Sequence, residues 1–205
     1  PAAIAAWFPP EKRGVPMGIW ATWVPVGTIL MFSLAPLFEK WHHVWALSSV
    51  YTALILVVFC LFFKAPEGFE GPGHNIAGTG RSPYANINIW MLGLVFMIFN
   101  ITTISLKTYV PMFVTQEHNF SDLKAMAVTN LIMLFSTITG PVTGLLSDMV
   151  KSRRVFLTAG VLIAAIVMAF FFTAGPACVP VFIIALGVAG GMVPVAVFSM
   201  SAEIM

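Results

Sequence analysis

The chain has 205 residues, of which 59% are hydrophobic and only 9% are charged, and its mean hydropathy is +0.94. Soluble domains carry about 25% charged residues, so this composition excludes an ordinary soluble domain and predicts an integral membrane protein. The net charge of +2 is too small to indicate a nucleic-acid partner, and the Lys and Arg residues do not form a basic stripe.

Residues 1–15 form a connector that contains Lys12 and Arg13. They do not resemble a signal peptide, because the sequence PPEKR precedes the first apolar run and no small-residue cleavage site follows that run. The chain begins with Pro1 and stops at Met205, just after an apolar run. We therefore expect an internal fragment of a longer protein.

Six apolar runs follow, and each is long enough for a helix to cross a hydrocarbon core of about 30 Å. They cover residues 16–38, 44–63, 88–114, 125–147, 155–173 and 179–200. Lipid requires every backbone polar group to be paired internally, and runs of this length exclude barrel strands of about ten residues. The sequence therefore predicts an all-α fold, a polytopic helical bundle with six transmembrane helices.

Basic residues are distributed unevenly among the connectors. Segments 1–15, 64–87 and 148–154 hold seven Lys and Arg residues, whereas the intervening connectors hold two. The positive-inside rule then predicts that the first set is cytoplasmic. Residues 65–87 are also rich in Gly and Pro, which predicts a flexible linker between two groups of helices.

The third run carries a polar stripe formed by Asn100, Thr103 and Lys107, which share one helical face because they are spaced by three and four residues. A lysine inside a span costs at least about 2.5–3.5 kcal/mol on insertion scales, so it should face a polar cavity, form a pair or snorkel to the interface. Snorkelling explains Lys107 without any function. Alternatively, Lys107 attracts an anionic solute while Asn100 and Thr103 donate hydrogen bonds to it.

The fourth and fifth runs are joined by a charge cluster, GLLSDMVKSRRV, at residues 144–155. It can be a topological turn in which Asp148 offsets the positive charge of Arg153 and Arg154. Alternatively, Asp148 binds basic groups or the N-terminus of a neighbouring helix, whose partial positive charge favours an anion by about 0.3–1 kcal/mol. Such a contact would latch one face of the protein closed in one state and release it in another.

This cluster resembles the loop signature of the major facilitator superfamily, in which a Gly and a small residue precede an Asp and a basic cluster. The matching positions are Gly144, Leu146, Ser147, Asp148, Arg153 and Arg154. Met149 and Lys151 depart from the pattern, where the family has a basic residue and a Gly. A second segment, WFPPEKRG followed by MGIW, looks like the family's connector between its fourth and fifth helices and the start of the fifth.

Together the two motifs imply that the chain covers roughly helices five to ten of a twelve-helix fold. Residues 1–15 would then be the cytoplasmic connector after the fourth helix, and 16–64 the last two helices of the N-terminal bundle. Residues 65–87 would be the cytoplasmic linker between bundles, and 88–205 the first four helices of the C-terminal bundle. The resemblance also implies that runs 88–114 and 179–200 line a central cavity, and that the partner of the Asp loop is an eleventh helix.

The resemblance implies a secondary active transporter that moves a small solute by alternating access. Lys107 favours an organic or inorganic anion, with cyanate- and nitrate-type permeases as relatives. A multidrug or metabolite efflux protein and a non-transporting membrane scaffold are the alternatives. Glu203, near a span end, is expected to be solvated or paired with an arginine.

The sequence offers no phosphate-binding GxxxxGK[ST] run and no HExxH or GxSxG motif, so we expect neither an ATP-driven pump nor an enzyme. Cys60 and Cys178 match no metal or disulfide spacing. We expect no metal and no cofactor. The expected partners are the lipid bilayer, a small-molecule solute and a coupling proton or ion, in a bacterial or archaeal plasma membrane.

Overall fold

The computed structural model describes residues 4, 7–34, 37–62, 86–173 and 175–204, and no strand forms within these ranges. The helices are α1 (Gly14–Ala21), α2 (Trp23–Leu34), α3 (Trp41–Phe62), α4 (Ile87–Gln116), α5 (Asp122–Val150), α6 (Arg153–Phe170) and α7 (Val179–Ile204). With α1 and α2 counted as one, six helices are long and apolar enough to cross a membrane. The predicted all-α, multi-pass membrane fold is confirmed. Most of the expected linker 65–87 lies outside the described residues.

The first predicted run is interrupted in the structure. Pro25 has no N–H to bond the Ala21 carbonyl, and its ring crowds that carbonyl. The helix therefore ends at Ala21 and restarts at Trp23. Thr22 spans the break, and its hydroxyl donates to the Ile19 carbonyl at 2.7 Å. Trp23, Val24 and Pro25 at the start of α2 line the site described below.

Helix α5 packs along α7, and α1, α4 and α6 lie around this pair. Glycines on α7 permit the close approach. A Cβ at Gly187 would lie 2.3 Å from the Phe135 Cβ, and a Cβ at Gly191 would lie 2.7 Å from the Gly140 nitrogen. Small residues at helix contacts are typical of membrane bundles, because dispersion between closely packed backbones drives association there. The α5–α7 pair is therefore the structural centre of the described bundle.

The outer surface is apolar, as expected for helices that face lipid. Large exposed side chains such as Leu61, Phe62 and Leu162 project from the bundle. Helix α3 is the extreme case, since no residue of its span 42–62 is buried against the rest of the described chain. The hydroxyl of Ser48 reaches the Met31 sulfur on α2 at 3.8 Å.

Candidate functional site

A cavity of about 250 Å³ is lined by residues at the break between α1 and α2 and by residues of helices α4, α5 and α7. Asn100, Thr103 and Lys107, the three residues predicted to bind a solute, all line it. Their spacing along α4 brings the three side chains to one wall, as the helical period requires. Among the described residues that line the cavity, Lys107 is the only one that carries a charge.

The hydrogen bonds of this wall differ from those expected. The Asn100 Nδ2 donates to the Phe96 carbonyl at 2.8 Å, and the Thr103 hydroxyl donates to the Phe99 carbonyl, also at 2.8 Å. The one hydrogen of Thr103 is therefore used by its own helix, so that Thr103 can only accept a bond from a solute in this arrangement. An amide NH₂ has two hydrogens, so Asn100 retains a second donor. Lys107 forms no ion pair within the described chain.

Prolines follow the cavity wall at a fixed spacing. Each lies four residues after a wall residue, whose carbonyl consequently loses its usual helical N–H partner. The pairs are Ala21 with Pro25, Lys107 with Pro111, and Gly190 with Pro194. Pro141 on α5 differs, because the residue four positions before it, Thr137, does not line the cavity. Three helical segments thus each lack one backbone hydrogen bond where they border the cavity.

Other wall residues had not been predicted. Ser136 of α5 and Gly190 of α7 face each other at the cavity. Phe198 packs edge-on against Phe96 with ring centroids 5.1 Å apart, and against Trp20 of α1 at 4.9 Å. The apolar composition of the runs hid these positions, because a single Ser or Phe in a membrane span carries no spacing signal.

A second cluster of polar residues lies at one end of the bundle. It consists of Gly14, Asp148, Arg153 and Glu203, and we call this end of the bundle the charged end. The backbone N–H of Gly14 donates to both carboxylate oxygens of Asp148, at 3.1 and 3.0 Å. Gly14 begins α1, so the Asp148 carboxylate caps the positive end of that helix. The sequence left open whether Asp148 meets basic groups or a helix N-terminus, and the structure shows that it meets both.

The basic partner is Arg153, which is only 9% exposed. Its Nη2 lies 3.6 Å from the Asp148 Oδ1, and its Nε lies 2.6 Å from the Glu203 Oε1. The expected Arg-paired state of Glu203 is confirmed. Whereas the resemblance implied an eleventh helix as the partner of the loop, the described chain supplies a partner of its own in α1.

Arg154 and Lys151 lie outside this network. Both are exposed, and neither forms an ion pair within the ranges that the structure describes. Lys151 has a left-handed backbone with φ of 53°, which ends α5 and turns the chain into α6. On the other side of the charged end, Arg13 donates to the Ala202 carbonyl at 3.3 Å, so a cation meets the negative end of α7.

Glycines bring α1 and α5 together beside the Asp148 cap. A Cβ at Gly144 would lie 2.2 Å from the Gly14 carbonyl oxygen, and a Cβ at Gly18 would lie 2.7 Å from that of Gly140. Real Cβ atoms do not approach backbone so closely, so the contact requires glycine on both helices. Gly144 of the predicted gating motif thus has a structural partner.

Comparisons with known proteins give one family model and several related transporters. The family model of the Major Facilitator Superfamily matches residues 1–205. The "Probable nitrate/nitrite transporter NarK2" of Mycobacterium tuberculosis is 25% identical over 162 residues, which are 75% of this chain and 39% of the relative. The "Nitrite extrusion protein" of Bacillus subtilis is 23% identical over 178 residues, 84% of this chain and 44% of the relative.

A third relative, the "Probable nitrate/nitrite antiporter NarK1" of Thermus thermophilus, is 22% identical over 177 residues, 78% of this chain and 40% of the relative. The chain therefore spans well under half the length of these curated relatives. No solved structure matches the chain significantly.

Proposed function

The chain belongs to the major facilitator superfamily, and from this membership we propose that it is part of a secondary active transporter that carries a small anion by alternating access. The observation that supports the proposal is the cavity around Lys107, whose described wall carries a single positive charge. An ammonium group in a site of low dielectric attracts an anion far more strongly than it would in water. The names of the relatives, which cite nitrate and nitrite, agree with a small inorganic anion.

The charge at the cavity favours an anion over a cationic drug. The ammonium group of Lys107 lies on the wall and would repel a cation at close range. We therefore prefer anion transport to multidrug efflux.

We further propose that the helices follow the family order suggested by the two motifs. Residues 16–64 would then close the N-terminal bundle and 88–205 would open the C-terminal one, with 1–15 and 65–87 on the cytoplasmic side. In this order the glycine contact between α1 and α5 joins the two bundles. Such an interface must separate and re-form in each transport cycle.

In this arrangement the charged end is the cytoplasmic gate. Asp148 would latch it by capping α1, and Arg153 would hold the carboxylate in place while it pairs with Glu203. Loss of the Asp148 contact would weaken the attachment of α5 to α1 and so favour the state in which a path opens between the cavity and the cytoplasm. The contact is weak enough for this, because one helix-terminus interaction contributes about 0.3–1 kcal/mol, and up to about 2 kcal/mol when partly buried.

The test is Lys107→Gln in the complete reading frame that contains residues 1–205, purified and reconstituted into proteoliposomes. Uptake is measured for nitrate, nitrite and formate. A hydrogen bond to a charged group contributes about 1.5–3 kcal/mol, so the KM should rise about tenfold or more. Lys107→Arg, which keeps the charge, should retain part of the affinity.

Lys124→Gln is the matched control, because Lys124 is an exposed lysine at the other end of α5 from Asp148. It should leave the KM unchanged. If Lys107→Gln behaved like Lys124→Gln, Lys107 would be a snorkelling residue and the anion site would be refuted. Absence of any saturable flux in the unmodified protein would favour a membrane scaffold, and export of cationic dyes would favour multidrug efflux.

A further inference from the structure

Ser136 lacks the helix hydrogen bond that two other hydroxyl residues of α5 form. Thr129 and Thr137 each donate to the carbonyl four residues earlier, at 3.3 and 2.9 Å. Ser136 makes no hydrogen bond to any described residue, although it is only 8% exposed and lines the cavity. Among the described residues, the fully buried polar atoms without a partner do not include the Ser136 oxygen, so this oxygen is open to the cavity. This hydroxyl is therefore available to a ligand in the cavity.

Gly190 keeps the space beside this hydroxyl open. A Cβ at Gly190 would lie 3.0 Å from the Ser136 Oγ, which is closer than nearly all Cβ contacts, but an ordinary 3.4 Å from the Ser136 Cβ. Any larger residue at Gly190 would thus press on the hydroxyl itself. Gly191, by contrast, faces backbone, since its Cβ would lie 2.8 Å from the Ser136 carbonyl oxygen.

We infer that Ser136 donates a hydrogen bond to the transported solute from the α5 wall of the cavity, while Lys107 binds the same solute from the α4 wall. This inference rests on the proposed anion transport. Thr103 cannot supply the donor while its hydrogen is bonded to Phe99. An oxyanion has acceptor oxygens on more than one side, so one oxygen can meet the ammonium group of α4 while another accepts from the hydroxyl of α5. Charge-assisted bonds of this kind are shorter and stronger than neutral ones.

The position of Ser136 also links binding to the gate. Gly144, Gly140 and Ser136 are spaced by four residues, so they share one face of α5. The two glycines contact α1, and Ser136 lies where this contact ends and the cavity begins. A solute held by Ser136 is therefore bound to the same helix face that forms the contact with α1.

The first experiment compares Ser136→Ala with Thr137→Ala in the reconstituted complete protein, with nitrite, nitrate and formate as probes. Both changes remove a hydroxyl from adjacent positions of one helix, but only Ser136 lines the cavity. Ser136→Ala should raise the KM about tenfold and change kcat by less than about twofold. Thr137→Ala should leave both within about twofold.

The second experiment is a double-mutant cycle with Gly190→Ala. Alone, this change should raise the KM several-fold, because the added methyl displaces the Ser136 hydroxyl. In the Ser136→Ala background the nearest atom is the Cβ at 3.4 Å, so Gly190→Ala should add no further change. An effect of equal size in both backgrounds would contradict the inference.

The two proposals fail differently. If Lys107→Gln impairs transport but Ser136→Ala behaves like Thr137→Ala, the role of Ser136 is refuted and anion transport stands. If Lys107→Gln leaves the KM of every probe unchanged, the proposed anion site fails, and the pairing of Ser136 with Lys107 fails with it.

Discussion

Helices α1 and α5 meet in two different ways along their length. At the charged end they touch through glycine backbones, with Gly14 against Gly144 and Gly18 against Gly140. About one turn further on they part, and the cavity opens between Ala21 and Ser136. The difference arises from side-chain size, since Gly18 is the last glycine of α1 in the contact, and from the break between α1 and α2 at Thr22. One pair of helices therefore supplies both a closable contact and a wall of a binding site.

The comparison explains how a change at the charged end could affect the cavity. The contact at the charged end has little room for adjustment, because α1 and α5 touch there through backbone atoms and Asp148 binds the backbone N–H of Gly14. The cavity wall is weaker, because three of its helices lack a hydrogen bond beside it. We expect substitutions in the contact to slow transport strongly, substitutions of polar wall side chains to change solute affinity, and replacement of a wall proline to slow transport weakly.

The largest effect is expected for Gly144→Val. Its Cβ alone would lie 2.2 Å from the Gly14 carbonyl oxygen, and neither backbone can yield. Overpacking of this kind costs about 1–3 kcal/mol, so kcat for uptake should fall by about tenfold or more while the KM changes little. Gly93→Val is the control, since nothing lies within 4 Å of a Cβ there. If the two variants transport equally well, the α1–α5 contact has no part in the cycle.

Much of this architecture could be predicted from the sequence. The composition alone indicated the membrane bundle, and the spacing of Asn100, Thr103 and Lys107 placed them on one face, which the structure shows at the cavity. These features depend on local periodicity, which one segment contains in full. The break at Thr22 is also local, since it follows from the position of Pro25, although the prediction took residues 16–38 as one uninterrupted run.

The remaining features depend on which helices are neighbours. The sequence suggested that Asp148 meets a helix N-terminus, but nothing near it identifies Gly14, which is 134 positions away. Similarly, Ser136 became a candidate only when its hydroxyl was seen to lack the helix bond that Thr137 forms. Pairing between distant segments is set by the packing of whole helices, and no short pattern encodes it.

A smaller effect is expected for Asp148→Asn, which keeps an oxygen acceptor for the Gly14 N–H but removes the charge that attracts Arg153 and the helix dipole. A loss of about 1 kcal/mol from the closed state corresponds to about a fivefold change in its population. Uptake should therefore slow about fivefold, with normal membrane insertion and an unchanged KM. Asp122→Asn, at the exposed start of α5, is the matched control. Normal turnover in Asp148→Asn would reduce the charge cluster to a determinant of topology.

The smallest effect is expected for Pro194→Ala on α7. Alanine restores an N–H that can bond the Gly190 carbonyl, so the helix becomes stiffer at the cavity wall. If the wall must bend while the charged end opens, uptake should slow about twofold to threefold, within the range of a single weak hydrogen bond. Pro111→Ala restores the same bond on α4 to Lys107, which also lines the cavity, and should slow uptake to a similar degree. Unchanged uptake in both variants would mean that the missing hydrogen bonds of the wall have no importance, and the division between a rigid contact and a deformable wall would then be wrong.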